Sequence, residues 1–276
     1  MELSKINEII NKINRLTNND PFSYLETKSN WFNDDFVDMK KINKFPHLEY
    51  GFEDFFFNPK IKKFNKEVAL KFLINESINN CTKDLNLTAT WIIKIWGGIK
   101  GIKDSSIREI IDNLDKKNYS FNNISSWSKV HSFKNIKRDV IYDSKVIYSL
   151  NWLILTLNSN NRFFLQPESR NKKLITFPIT SIINFKNSSS IDISKKGHKA
   201  IESIYYKENE VYQKFIELIT VLNKKLWNDK YINLSDFTNE KIYLKDYNFF
   251  TELLLFNMAD DVILDDIRKN INIEIK

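Results

Sequence analysis

Apolar residues recur three and four positions apart at the start of the chain, at Leu3, Ile6, Ile9, Ile10, Ile13 and Leu16. That spacing predicts an amphipathic helix over 2–16. The period returns over 62–80, where Phe64, Val68, Phe72 and Ile78 lie on or near one face. A third helix is predicted after Asp84, running through TATWIIKIWGG and ending at Gly97 and Gly98. Ser105 or Ser106 can cap the next, SSIREIIDNLDKK, with Glu109 completing a capping box from Ser106. Ser125 or Ser126 can cap a helix holding Trp127, Lys129, Val130 and Phe133. Asp143 and Ser144 then open KVIYSLNWLILTL, whose length favours a buried helix, with a strand left open by its β-branched content.

Elsewhere the pattern is weaker. Residues 30–58 are rich in aromatics without a clean period and read as loops and short helices, interrupted by Pro46 and Pro59. Residues 158–197 are rich in Asn, Ser and Lys and read as loops with a small β-hairpin insertion. A long helix is expected over 199–227 and another over 246–257, followed by the acidic run Asp260, Asp261, Asp265 and Asp266. The fold class is therefore mainly α. Three parts are expected: an N-terminal helical and aromatic-rich part (1–83), a helical core (84–157), and the insertion with C-terminal helices (158–276).

Composition narrows the chemistry. Five glycines and five prolines in 276 residues leave few tight turns or glycine-built phosphate loops. The net charge of +7 favours approach to polyanions, although Asn and Lys are abundant along the whole chain. The single cysteine, Cys81, excludes an internal disulfide and a cysteine-built zinc site, and reads as a structural thiol. His47, His131 and His198 are too far apart in sequence to form a spaced metal motif. No cofactor is expected. No apolar run approaches the roughly 20 residues needed to span a membrane. The first helix lacks the apolar core of a signal peptide. A cytoplasmic monomer without a membrane partner is the default expectation.

The most specific pattern lies at 125–155, SSWSKVHSFKNIKRDVIYDSKVIYSLNWLIL. A lysine on one helix is followed by a basic loop and an aspartate that opens the next helix. This segment resembles the central part of the helix-hairpin-helix DNA glycosylase superfamily. On that match SSWSKVHSF takes the place of the second half of the hairpin and its helix, and NIKRDVIYDSKV that of the loop, the aspartate and the next helix. The resemblance implies a helical glycosylase-like fold, DNA as partner, and excision of a damaged or modified base. It places Asp143 at the family's catalytic aspartate and Lys129 near its lysine, with Asp139 as the alternative aspartate one turn earlier. The hairpin glycines of that family are absent here, where the chain reads NNISSWSK.

Excision requires the nucleotide to leave the base stack and enter a pocket. Positive charge then develops on the sugar, and a carboxylate can stabilise it and orient water. A lysine amine instead attacks the sugar and forms a Schiff base, once it has lost its charge. Candidate phosphate contacts are Ser126, Lys134, Lys137, Arg138 and Lys145, with Arg162, Lys172 and Lys173 from a second basic loop. Candidate pocket residues are Trp91, Trp96, Tyr142 and Gln166. The geometric requirement is a pocket with Asp143 at its floor. A non-catalytic DNA-binding protein on the same fold is the alternative, favoured by the missing glycines, and a helical interaction protein unrelated to DNA is the third reading.

Overall fold

A computed structural model of the chain describes residues 2–28, 40–42, 44–46, 52–80, 85–116, 120–157, 161–169, 171–188, 204–234, 237–238 and 241–271. The N-terminal helices are α1 (Leu3–Leu16), α2 (Pro21–Lys28), α3 (Phe52–Phe57) and α4 (Lys63–Asn80). The central ones are α5 (Leu85–Thr90), α6 (Asp104–Asp112), α7 (Ile124–Lys134) and α8 (Ser144–Leu155). After these come α9 (Lys172–Thr176), α10 (Ile179–Lys186), α11 (Val211–Leu226), α12 (Phe249–Met258) and α13 (Leu264–Asn270). The fold is mainly α with one two-stranded antiparallel ribbon, β1 (Tyr231–Asn233) and β2 (Lys241–Tyr243), in which Ile232 faces Ile242.

The centre of the molecule is α8. Every residue from Val146 to Leu155 is buried, so the strand alternative for this segment falls and the helical reading stands. Its neighbours include α12, α10 and α1. A continuous apolar core reaches from Ile6 in α1 through Ile147 in α8 to Ile267 in α13, so all three expected parts contribute to it. Polar side chains stitch irregular segments onto this core. Asn151 of α8, itself buried, donates to Phe164 O at 2.8 Å and accepts from Phe164 N at 2.9 Å. It thereby replaces the backbone partners that the extended segment at 161–169 lacks on that side. Thr251 of α12 donates to Asn223 Oδ1 of α11 at 2.8 Å, and Trp227 Nε1 donates to Thr251 Oγ1 at 2.9 Å.

Several local expectations change. The capping serines lie inside their helices: α6 begins at Asp104 after Lys103, and α7 begins after Asn123, which takes the left-handed conformation (φ 56°). Ser125 Oγ instead donates to Tyr142 O at 3.1 Å and ties α7 to the segment before α8. The β-ribbon falls at 231–243 rather than within 158–197, where 171–188 instead forms α9 and α10. The helix expected from 199 begins at Val211, because 204–210 forms a bridge from Tyr205 to Phe163 and a turn. The Asp143 cap and the glycine stop hold. Asp143 Oδ1 accepts from Lys145 N at 2.9 Å, and Gly98 turns the chain with φ 67°. Cys81, His47 and His198 lie outside the described residues.

Replacing Asn151 by alanine strips two buried backbone groups of their partners at once. The expected loss is about 2–4 kcal/mol of stability, read as a lowered urea midpoint with an unchanged slope.

Candidate functional site

A cavity of about 210 Å³ lies between α4, α7, α12 and the segment leading into α8. Each wall follows from local sequence. On α4, the spacing that buries Phe64 and Val68 also turns Lys71 inward. Asn75, one turn on, donates to Phe133 O at 2.7 Å and Lys134 O at 2.8 Å, so α4 closes the C-terminal end of α7. On α12 the apolar run FFTELLLFNM carries one carboxylate, Glu252, which is buried with its neighbours. The fourth wall is the end of α5, where Trp91–Trp96 widens into a π-helical turn. Its close is the bond from Gly97 N to Ile92 O at 2.8 Å. This turn presents Trp96 and Gly97 to the cavity.

Gly97 is needed for its size. A β-carbon there would stand 2.8 Å from both Cδ and Cε of Lys129 and 3.0 Å from Ile92 O. The missing side chain is what lets Lys129 run flat beneath the turn. Lys129 Nζ donates to Ser125 O at 2.9 Å and lies 3.5 Å from Asp143 Oδ2. Asp143 thus divides its two oxygens between the cap of α8 and the lysine.

Below this pair lies a second one. Lys71 Nζ is 3.6 Å from Glu252 Oε2, and the same oxygen accepts from Ile141 N at 3.1 Å. The Lys71 ammonium also sits 4.9 Å from the ring centres of Phe133 and Phe249, a cation–π arrangement on two sides. Burial pushes the Glu252 carboxyl above its usual range and the nearby Asp143 adds to this, while Lys71, the Ile141 N–H and Lys129 oppose it. Burial lowers Lys71 from the ordinary lysine value against the pull of Glu252 and Glu67. Both shifts favour the neutral forms, as expected for charges removed from water.

The cavity has a polar rim and a charged floor. Asp143, Glu67, Trp96 and Phe256 line it and are partly exposed, whereas Lys71, Lys129, Glu252, Phe133, Ile141 and Phe249 are buried. Asp143 therefore stands at the rim, not at the floor where the sequence reading put it.

Among the residues singled out from sequence, Asp143, Lys129 and Trp96 meet in this cavity. Trp91 and Tyr142 do not. Trp91 is a core residue, edge-on to Phe45 and donating to Lys41 O at 2.9 Å. Tyr142 is fully buried behind Asp143, with its hydroxyl on Leu165 O at 2.7 Å. Gln166 is also outside the lining, and its amide donates to Ser144 O at 2.7 Å. Asp139 is buried away from the cavity, accepts from Asn135 Nδ2 at 2.9 Å, and has its carboxyl raised by burial. Asp143, not Asp139, is the aspartate that faces Lys129.

The expected phosphate contacts scatter. Ser126 is buried and its side chain faces the interior. Lys134 pairs with Asp115, Lys145 with Asp260 at 2.9 Å, and Arg162 with Glu210 at 3.5 Å. Lys137 and Arg138 are exposed on the loop before Asp143, and Lys172 and Lys173 are exposed at the start of α9. The sequence reading missed Lys71, Glu252, Phe133, Phe249 and Gly97. The available signal was a lone charge inside each of the apolar runs VALKFL and FTELLL. Among the described residues, no helix is long and apolar enough to cross a membrane. Compared with protein families, with characterised proteins and with solved structures, the chain matches none of them.

Two measurements probe this geometry. Gly97→Ala displaces Lys129 and is expected to cost about 1–3 kcal/mol by overpacking, seen as a lower denaturation midpoint. His131, on the far side of α7, is buried, edge-on to Trp127, and burial pushes its pKa down to about 4. Its folded pKa lies below the unfolded one, so its share of stability is present above pH 6.5 and lost as the pH falls towards 4. That share is on the order of 2–3 kcal/mol. His131→Gln should remove this slope between pH 6.5 and 4.5, measured as the difference from wild type in urea unfolding.

Proposed function

We propose that this chain is a DNA glycosylase that removes a damaged or modified base by aspartate-assisted hydrolysis of the N-glycosidic bond. The observation that carries the reading is the Lys129–Asp143 pair, 3.5 Å apart, at the edge of a ring-walled cavity of about 210 Å³. Ligand pockets commonly measure roughly 300–1,000 Å³, so this smaller cavity is on the scale of a single flipped base. With the base inside, the sugar stays at the rim, where Asp143 stands.

The chemistry asks little more of the site. As the bond from C1′ to the base nitrogen breaks, its electron pair leaves with the base, and positive charge spreads over C1′ and the ring oxygen. Asp143 Oδ2 is the carboxylate available to stabilise that charge. It also receives the proton of the water that adds to C1′. The departing base takes up a proton, and an abasic sugar and a free base remain. Capping of α8 fixes the Asp143 carboxylate in place, with Lys129 3.5 Å from its other oxygen. In this reading Lys129 is a positioning residue. Its ammonium is held by Ser125 O and Asp143, which favours hydrolysis over Schiff-base chemistry. The +7 net charge and the exposed Lys137, Arg138, Lys172 and Lys173 favour docking to a phosphate backbone.

The test is base excision from labelled duplexes and single strands. The panel carries uracil, hypoxanthine, oxidised and alkylated bases, and hydroxymethylated and glucosylated cytosines, with hot alkali revealing abasic sites. Wild type should release at least one base, and Asp143→Asn should slow that release by about 100-fold or more; the change also takes the facing carboxylate from the buried Lys129, so its thermal midpoint should fall, and excision is compared at a temperature where circular dichroism shows the variant folded. Salt-sensitive DNA binding with no abasic product from any substrate would leave the alternative of a non-catalytic DNA-binding protein.

A further inference from the structure

The floor of the cavity holds an incomplete set of hydrogen bonds. Glu252 Oε2 is engaged by Ile141 N and faces Lys71, while Glu252 Oε1 receives no bond among the described residues. Lys71 is 8 % exposed, and its ammonium makes its closest carboxylate approach at 3.6 Å, beyond ordinary hydrogen-bond reach. Among the described residues it has no other hydrogen-bond acceptor, and two phenyl rings flank it. Neither atom is sealed in the interior; donor and acceptor stand side by side and open onto the same cavity, where a ligand can supply the complement.

The complement is one acceptor beside one donor on the edge of a flat ring. An exocyclic carbonyl offers two lone pairs to the lysine, and the adjacent ring N–H offers one proton to Oε1. An amino group beside an unprotonated ring nitrogen, the edge of cytosine and adenine, also sets one donor beside one acceptor, but its second N–H points away from the pair and finds no partner in it. Guanine carries an additional amino group on the same edge, with the same surplus.

We propose that Lys71 and Glu252 form a base-reading pair that favours a carbonyl-next-to-N–H edge without a flanking amino group, as in uracil, thymine and hypoxanthine. Resting on the glycosylase reading above, this assigns bases with that edge, the deaminated ones among them, as the substrate class. Hydrolytic deamination, in which water replaces the exocyclic amine of cytosine or adenine and ammonia leaves, supplies the deaminated members. The amino group lost in that reaction is one whose second N–H the pair leaves without a partner.

The test separates the two readings. Free uracil, hypoxanthine, cytosine and adenine are titrated into the full chain at up to millimolar concentration, with binding read by ligand-observed NMR. The same four bases are offered in duplex DNA for excision. Uracil and hypoxanthine should bind roughly tenfold or more tighter than cytosine and adenine. Glu252→Gln and Lys71→Met should each erase most of that preference, with folding followed by circular dichroism. Should either variant fail to fold, the wild-type ranking alone decides. Equal or tighter binding of cytosine or adenine overturns the inference, as does the absence of binding by any of the four, or an unchanged preference in a folded Glu252→Gln. Selective binding of the free bases without excision of any base would retain the reading pair and remove the glycosylase. Excision confined to alkylated or glucosylated bases would do the reverse.

Discussion

A titratable side chain taken out of water must be answered from inside the protein, and three such groups, with Asp143 at the rim above them, crowd one cavity here. Lys71 and Glu252 lie at its floor; Lys129 and Asp143 lie above them. Each carboxylate accepts a backbone N–H, from Ile141 in one case and Lys145 in the other. Ile141 belongs to the short segment between α7 and α8, and Lys145 to the first turn of α8 that ends it. The position of that segment is thus set by buried charge as well as by the apolar residues around it. Removing one partner from such an arrangement leaves a bare charge, which costs far more than the intact pair contributes. The helices that supply the four side chains are held in register by this condition.

The rest of the architecture serves to keep water out. α8, buried from Val146 to Leu155, anchors Asp143 at its start, while α12 brings Phe249 to the floor of the cavity and Leu253 and Phe256 across its front. The polar staples, such as Asn151 on Phe164 and Asn75 on the end of α7, satisfy backbone groups where neither helix nor sheet can. In a chain with so little glycine, asparagine performs much of this turning and tying. Asn123 does so with a left-handed backbone, and Asn75, Asn151, Asn223 and Asn248 do so with their side-chain amides.

α1 and α4 were legible from the sequence because burial of one face demands a period, and α8, buried from Val146 to Leu155, was legible from the length of its apolar run. The aspartate that opens α8 was legible for the same reason, since an N-cap must be a short acceptor. The capping serines misled because Ser125 Oγ finds Tyr142 O at 3.1 Å, a partner that only tertiary structure supplies. Trp91 and Tyr142 misled because an indole or phenol at a wall and one in the core have identical local sequence; only the neighbours Phe45 and Leu165 distinguish them. Lys71 and Glu252 were hidden by distance. They are separated by 181 positions along the chain (71 to 252), and neither carries a local motif. A lone charge in an apolar helix signals a partner but does not say where it lies.

The front wall of the cavity has a consequence for how the protein is made. Glu252, Leu253 and Phe256 reside on α12, close to the end of the described chain, whereas Lys71 sits in its first third. During synthesis from the ribosome, α4 and α7 emerge long before the helix that neutralises and covers them. Until α12 arrives, Lys71 remains hydrated and the floor between Phe133 and Phe249 does not exist. The site is thus among the last features to be assembled. A nascent or truncated chain lacking α12 holds no enclosed cavity, so the capacity to engage a ligand there coincides with completion of the fold.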